Sequence, residues 1–335
     1  MELKIGRMEH GILNNIADVP GVTVGHHTVD NDRHKTGVTV IMPCEDDIFQ
    51  NKMVAACHVL NGFGKTAGLV QIQELGTLES PIAMTNTLNV GLVHDAMVEY
   101  LCRNAEEKGY TIRSVNPVVA ECNDASLNDI RHRAIGQEEV FSAIQSACAD
   151  FQQGDVGVGK GMTCHDLKGG IGSSSRIIEI GDHKFTLGIL ALTNHGSLTD
   201  LTICGENIGM DIERQIREDT PDEGSCILVL ATDLPVTSRQ LSRILRRCSV
   251  GLARLGSFIG HGSGEVFIGF STANRIPSDA DILELKSIHE SHMDKAFRAA
   301  AEATEEAILQ SMIHAKTVTG YSGKIRRSLT EFWQP

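Results

Sequence analysis

Gly224-Ser225 is the dipeptide whose surroundings first suggest chemistry. It ends the polar stretch Glu218-Asp-Thr-Pro-Asp-Glu-Gly224 and opens the apolar run Cys226-Ile-Leu-Val-Leu-Ala231. A solvent-accessible loop running straight into a core strand is where an N-terminal nucleophile must sit. Cleavage of the Gly224–Ser225 bond would leave the Ser225 hydroxyl beside its own α-amine. Such an amine has a pKa near ~7.7 and can serve as general base at neutral pH. The glycine before it, lacking a Cβ, tolerates the strained backbone from which the hydroxyl attacks its own preceding carbonyl. On the dipeptide alone, an ordinary loop-to-strand junction is the reading to prefer.

Other motifs offer less. Gly154-Asp-Val-Gly-Val-Gly159-Lys160-Gly161 nearly matches a phosphate-binding loop, but Gly161 stands where Ser or Thr must hold Mg²⁺. The stretch also follows an expected helix instead of a strand. His289 and His292 flank Glu290 at a spacing that is not the zinc-protease spacing, and His26-His27 point to opposite faces of a strand. No catalytic metal and no cofactor are expected. A Gly-x-Ser-x-Gly elbow is absent, which argues against an α/β-hydrolase.

The elements that must position these residues are read from pattern and composition. The 335 residues include 33 glycines and only 4% aromatics, so tight turns and a Val/Ile/Leu/Ala core are expected. Strands are expected at Val22–Val24, Gly37–Met42, Cys226–Ala231 and Val266–Phe270. A hairpin is expected from Arg176–Ile180 and Phe185–Thr193 around Gly181-Asp182-His183. Helices are expected over Leu92–Lys108, Gln137–Phe151 and Ser287–Ala315. Another runs from a Thr237/Gln240 capping box to Gly256, with Leu241, Ile244, Leu245, Cys248 and Leu252 on one face. Hairpins mixed with helices point to a layered α/β sandwich with no internal domain boundary.

A net charge of −13 excludes a phosphate backbone as the natural partner, and the arginines between 239 and 254 read as a solvated helix face. The nine cysteines are odd in number, contain no Cys-x-x-Cys and read as reduced core residues of a cytoplasmic protein. The first residues lack a signal-peptide apolar region, and no apolar run reaches the ~20 residues needed to cross a bilayer.

Taken in order, further segments carry a resemblance. They begin with Ile16-Ala-Asp-Val-Pro-Gly-Val22-Thr-Val-Gly25-His26, Thr36-Gly-Val-Thr-Val40, Asn61-Gly-Phe-Gly64 and Pro81-Ile-Ala-Met-Thr-Asn86-Thr87. Pro117-Val-Val-Ala-Glu121-Cys-Asn-Asp124, Leu127-Asn128-Asp129, Gly157-Val-Gly-Lys-Gly-Met162-Thr-Cys-His165 and Lys168-Gly-Gly-Ile-Gly172 follow. The last block runs from Gly224-Ser225 through Ala231-Thr-Asp233 to Gly262-Ser-Gly-Glu265 and Phe270-Ser-Thr-Ala-Asn274. Together they resemble the self-processing L-aminopeptidase/D-esterase and β-peptidyl aminopeptidase family (DmpA-type) over nearly the whole chain.

The resemblance implies a four-layer αββα sandwich over residues 1–335, similar to N-terminal nucleophile hydrolases but differently connected. It implies self-cleavage into a 1–224 α-chain and a 225–335 β-chain. Ser225 takes the nucleophile's position, Ser263 and Glu265 match a supporting serine-x-carboxylate pair, and Asn194 matches the asparagine that stabilises the oxyanion. In an extended backbone Ser263 and Glu265 face one side. Glu121 or Asp124 could hold a substrate ammonium, or either could be a turn-stabilising carboxylate.

The expected activity is that of a serine aminopeptidase releasing N-terminal residues from short peptides, amides or esters. The expected assembly is a homo-oligomer of processed units, with no nucleic-acid or membrane partner. An acyltransferase or amide-oligomer hydrolase on the same fold, or an unprocessed binding protein, are the alternatives. Two departures bear on substrate preference: Ser126 stands where the best-known members carry tyrosine, and Lys65 where an acidic residue is expected.

Overall fold

Two β-sheets lie face to face between two layers of helices in the computed structural model, which describes residues 4–216 and 224–334. One sheet has four strands: β1 (Thr23–Asp30), β2 (Lys35–Met42), β5 (Ile82–Asn86) and β6 (Val118–Cys122), in the order β1-β2-β5-β6. The other has six: β3 (Asn51–Gly62), β4 (Thr77–Leu78), β7 (Ile171–Ile180), β8 (His183–Asn194), β9 (Ser225–Thr232) and β10 (Gly264–Pro277). Their order is β4-β3-β10-β9-β8-β7, antiparallel throughout except for the parallel pair β9–β10.

Apolar alternation fixes the layering. On β9, Cys226, Leu228 and Leu230 face one way and pack with α5 (Ser238–Leu245), α6 (Cys248–Arg254) and α7 (Met293–Ile313). Ile227, Val229 and Ala231 face the other way and meet Ile41, Ile82 and Met84 of the four-stranded sheet. That sheet buries Val38, Val40 and Ala83 under α2 (Val90–Glu107) and α3 (Gln137–Gln145). The result is the αββα sandwich. Two short helices, α1 (Leu69–Leu75) and α4 (Gly209–Ile216), cover connections.

Several sequence expectations meet the structure with altered ends. The hairpin pairs Ile180 with His183, so its turn is Gly181-Asp182 and His183 already belongs to β8. The Thr237/Gln240 capping box is present in both directions. The five apolar residues after it are all buried, but on two helices, because the chain tightens at Arg246–Arg247, where Arg247 N–H reaches the Ile244 carbonyl at 2.9 Å. Helix α3 stops at Gln145 and does not reach Phe151, since Cys148 exchanges backbone hydrogen bonds with Val24 at 3.0 and 3.1 Å. Helix α7 starts six residues later than expected, because Ile288 N–H is taken by the Pro235 carbonyl at 2.9 Å.

The arginine face is solvent-exposed as expected, Arg239, Arg246 and Arg254 all lying at the surface, and several of its side chains also make contacts. Arg239 and Arg243 pair with Glu290, Arg254 pairs with Glu305, and Arg247 lies 3.9 Å over the Phe297 ring. These contacts pin α5 and α6 to the segment bearing α7. The glycine-rich stretch is a 3₁₀ turn over Gly157–Gly161 whose Lys160 is bound by Asp30 and Asp155, at 2.8 and 2.9 Å. That engaged ammonium suits a structural clamp. Cys148 and Cys204 are exposed, the other seven cysteines are buried or half-buried, and none forms a disulfide. Among the described residues no helix is long and apolar enough to cross a membrane.

Candidate active site

Residue 225 heads β9, where that strand meets both neighbours. Ser225 is the register partner of Asn194 on β8 and of Gly264 on β10. Its hydroxyl donates to the Gly224 carbonyl oxygen at 2.7 Å, and Gly264 N–H donates to the same oxygen at 3.0 Å. The polar loop before Gly224, expected to be accessible, lies outside the described residues over 218–223.

The need for glycine at 224 is one of space. A Cβ there would lie 1.9 Å from the Asn194 carbonyl oxygen. Close approach of two chain segments thus adds a steric reason for glycine beside the conformational one expected from sequence.

Asn194 is held at both ends of its carboxamide. Oδ1 accepts from Thr163 N–H at 2.9 Å, and Nδ2 donates to the Asn123 carbonyl at 3.0 Å. Nδ2 carries two hydrogens, so one remains for a further acceptor. The side chain is 5% exposed. This fixed donor beside Ser225 is the geometry that stabilises a developing oxyanion.

Ser263 and Glu265 flank Gly264, the β10 partner of Ser225. The Ser263 hydroxyl donates to Glu265 Oε1, and both residues are buried. Asn61 on β3 pairs in register with Glu265, and its Nδ2 donates to the carbonyls of Ser263 and Gly260. The bend that carries the Ser–Glu pair is thereby anchored.

The end of β6 approaches from the facing sheet. The Cys122 thiol donates to the Ser225 carbonyl at 3.5 Å, so residues 121–124 run past Ser225. Glu121 accepts from Lys65 N–H at 2.8 Å and from the Thr87 hydroxyl. Asp124 turns inward, accepting from Thr36 at 2.6 Å and from Asn128 Nδ2 at 3.1 Å. Burial pushes its carboxyl up to about 7. Lys65 lays its ammonium 5.0 Å from the centre of the half-exposed Phe63 ring.

The structure thus brings Ser225, Asn194, Ser263 and Glu265 together, with Glu121 at the adjoining strand end and Asp124 behind it. Sequence reasoning gave no role to Thr163, Asn123, Thr87 or Asn61, although all four lie in segments that carried the resemblance, because their contacts with the site arise from pairings between distant strands and loops. A cleft of about 330 Å³ between β3 and α5 contains none of these residues.

Family and architecture together define a hydrolase that acts on peptides. The chain belongs to peptidase family S58, which it matches over residues 14–326. It is 37% identical to the β-peptidyl aminopeptidase BapA of Sphingosinicella xenopeptidilytica, covering 92% of this chain and 83% of that relative. Among solved structures it is similar to the PH0078 protein of Pyrococcus horikoshii OT3, at 43% identity and a TM-score of 0.92, covering 98% of this chain and 94% of that one. It is also similar to the L-aminopeptidase D-Ala-esterase/amidase of Ochrobactrum anthropi, at 33% identity and a TM-score of 0.90, covering 96% and 93%. The latter is described as a prototype of the serine aminopeptidases and a new variant among the Ntn hydrolase fold. The present protein is accordingly an aminopeptidase of the S58 family.

Proposed function

We propose that the chain cuts itself between Gly224 and Ser225 and then releases N-terminal residues from short peptides, amides or esters, as a serine aminopeptidase. In self-cleavage the Ser225 hydroxyl oxygen attacks the Gly224 carbonyl carbon and the peptide nitrogen leaves. The acyl group passes to oxygen, and water hydrolyses the ester. The products are a carboxylate on Gly224 and a free α-amine on Ser225. Gly264 N–H, already bonded to that carbonyl oxygen, supports this step by accommodating its developing charge.

In turnover the same hydroxyl attacks the substrate carbonyl carbon, its proton passing to the new α-amine or to the Ser263–Glu265 pair. Asn194 Nδ2–H receives the oxyanion, and the departing amine takes a proton as the acyl-enzyme forms. Water then releases the N-terminal residue. Glu121, its carboxylate at the end of β6, binds the substrate ammonium, and Asp124 supports that turn from behind. The chemistry needs no cofactor. Cysteines that form no disulfide suit a cytoplasmic protein, and the working form is read as a homo-oligomer of processed units.

The observation that carries this reading is Ser225 bonded to its own preceding carbonyl between Asn194 and the Ser263–Glu265 pair. Intact mass and N-terminal sequencing of purified protein test it, alongside a panel of peptides, amides and esters. The wild type gives a chain beginning at Ser225 and hydrolyses substrates with a free amine, whereas Ser225→Ala stays whole. A wild type that remains one inactive chain returns the protein to the class of unprocessed binding proteins.

A further inference from the structure

Behind the oxyanion asparagine lies a buried cluster that the peptidase reaction does not use. Cys164, His165 and His195 each present one donor atom within 4.8 Å of the other two, and all three residues are buried. Cys164 and His165 directly follow Thr163, whose N–H holds Asn194 Oδ1, and His195 directly follows Asn194. The cluster therefore joins the two chain segments that fix the oxyanion donor. It escapes sequence inspection because His195 stands thirty positions beyond His165 and no motif spacing links them.

Three observations point to a ligand. Both ring nitrogens of His195 lack a hydrogen-bond partner while the residue is only 3% exposed. A buried polar group left unbonded costs ~1–3 kcal/mol, so an imidazole in this state marks a missing partner. His165 donates from Nδ1 to the Ser197 carbonyl at 2.9 Å, which fixes the tautomer with the lone pair on Nε2. That arrangement is the usual outer-shell support of a metal-binding histidine. The space is kept for this ring: a Cβ at Gly196 would lie 2.5 Å from His165 Cε1.

We propose that Cys164, His165 and His195 form a binding site for a thiophilic transition-metal cation of the Zn²⁺ class. One thiolate and two imidazoles suit Zn²⁺ and exclude Mg²⁺ and Ca²⁺, which take oxygen ligands. Zinc bonds of ~2.0 Å to nitrogen and ~2.3 Å to sulfur place neighbouring donors roughly 3.3–3.8 Å apart. Starting from separations of at most 4.8 Å, the atoms close in by no more than about 1.5 Å when the ion enters. As the zinc–sulfur bond forms, the Cys164 thiol releases its proton to solvent. A water molecule completes four-coordination. The ion does no hydrolytic chemistry. It staples the Thr163–His165 turn to Asn194–His195 and so stabilises the segment carrying the oxyanion donor.

The test uses full-length purified protein stripped with a chelator and titrated with Co²⁺, then Zn²⁺. One Co²⁺ per chain should bind, giving the strong visible bands of four-coordinate cobalt and a near-ultraviolet thiolate-to-cobalt charge-transfer band. Zn²⁺ should displace it and raise Tm in a concentration-dependent way, and Mg²⁺ should do neither. Cys164→Ala should remove the charge-transfer band, His195→Leu should weaken binding at least tenfold, and Cys248→Ala should retain both. A wild type without the thiolate band and without a Zn²⁺-dependent Tm shift overturns the proposal. So does a band that survives Cys164→Ala. If either variant fails to fold, the wild-type spectrum and Tm shift decide.

Discussion

Gly224 and Asn194 approach so closely that a single added methyl group at 224 would lie 1.9 Å from the Asn194 carbonyl oxygen. The contact sits at the last register pair of β8 and β9. Gly224→Ala must therefore push the two strand ends apart and move the Ser225 hydroxyl away from the Gly224 carbonyl to which it is hydrogen-bonded. The expected outcome is self-cleavage slowed at least a hundredfold in a protein that still folds, followed by intact mass over time. Cleavage at the wild-type rate would mean that this contact does not govern the reaction.

The carboxamide of Asn194 is held at both ends beside Ser225, and if it is the oxyanion donor, its loss costs ~10²–10³ in kcat. Asn194→Ala should show that loss with KM changed much less. Removal of the side chain also frees Thr163 N–H and the Asn123 carbonyl, so a modest fall in Tm should accompany it. Steady-state kinetics on material already cut at Ser225 make the measurement. Turnover near the wild-type value would take Asn194 out of the site.

Glu265 receives the Ser263 hydroxyl and lies completely buried. Glu265→Gln keeps the shape and removes the charge. If the pair relays a proton to or from Ser225, turnover falls by ~10²–10⁴, the range for a lost acid–base group. Circular dichroism should stay unchanged, and the pH dependence of kcat should shift. An unaltered kcat and pH profile would reduce Glu265 to a packing carboxylate.

Asp124 makes a prediction about stability. Burial raises its folded-state pKa from 3.8 to about 7. Below pH ~4 the carboxyl is protonated in both states and imposes no penalty. Between ~4 and ~7 the unfolded chain ionises and the folded one does not, so stability falls as pH rises, and above ~7 the loss is complete. Three pH units correspond to on the order of 4 kcal/mol. Asp124→Asn lacks this titration, so the variant's stability relative to wild type should increase across that window. Urea unfolding at several pH values measures it, and a constant difference would contradict the assignment.

Much of this framework was legible because local pattern and tertiary packing agree. The apolar run Cys226–Ala231 is buried on both faces, and the Thr237/Gln240 cap closes as its spacing requires. Where the reading failed, a distant partner had taken the backbone. Val24 captures Cys148 and ends α3, and Pro235 captures Ile288 and delays α7. The site divides in the same way. Ser225, Ser263 and Glu265 stand in recognisable short segments, whereas Thr163 and Asn123 matter only because β6, β8 and the 157–165 turn meet in space. At Gly224 the sequence suggests a conformational reason for glycine, and the close approach of Asn194 adds a steric one that only the fold reveals.

The two middle strands of the six-stranded sheet, β9 and β10, both come from beyond residue 224, and the strands on either side, β3 and β8, come from before it. A chain severed at that point is two interdigitated polypeptides with no edge along which they could separate. Dissociation would require tearing the sheet through its centre, so the fragments should co-purify until denatured. Once denatured they are strangers. Closure of an internal loop, which an uncut chain performs at any dilution, becomes a bimolecular encounter. Recovery of the severed protein from denaturant should therefore rise with protein concentration, whereas Ser225→Ala should recover independently of it. A chain that cuts itself there has an irreversible order of events: assembly first, scission second.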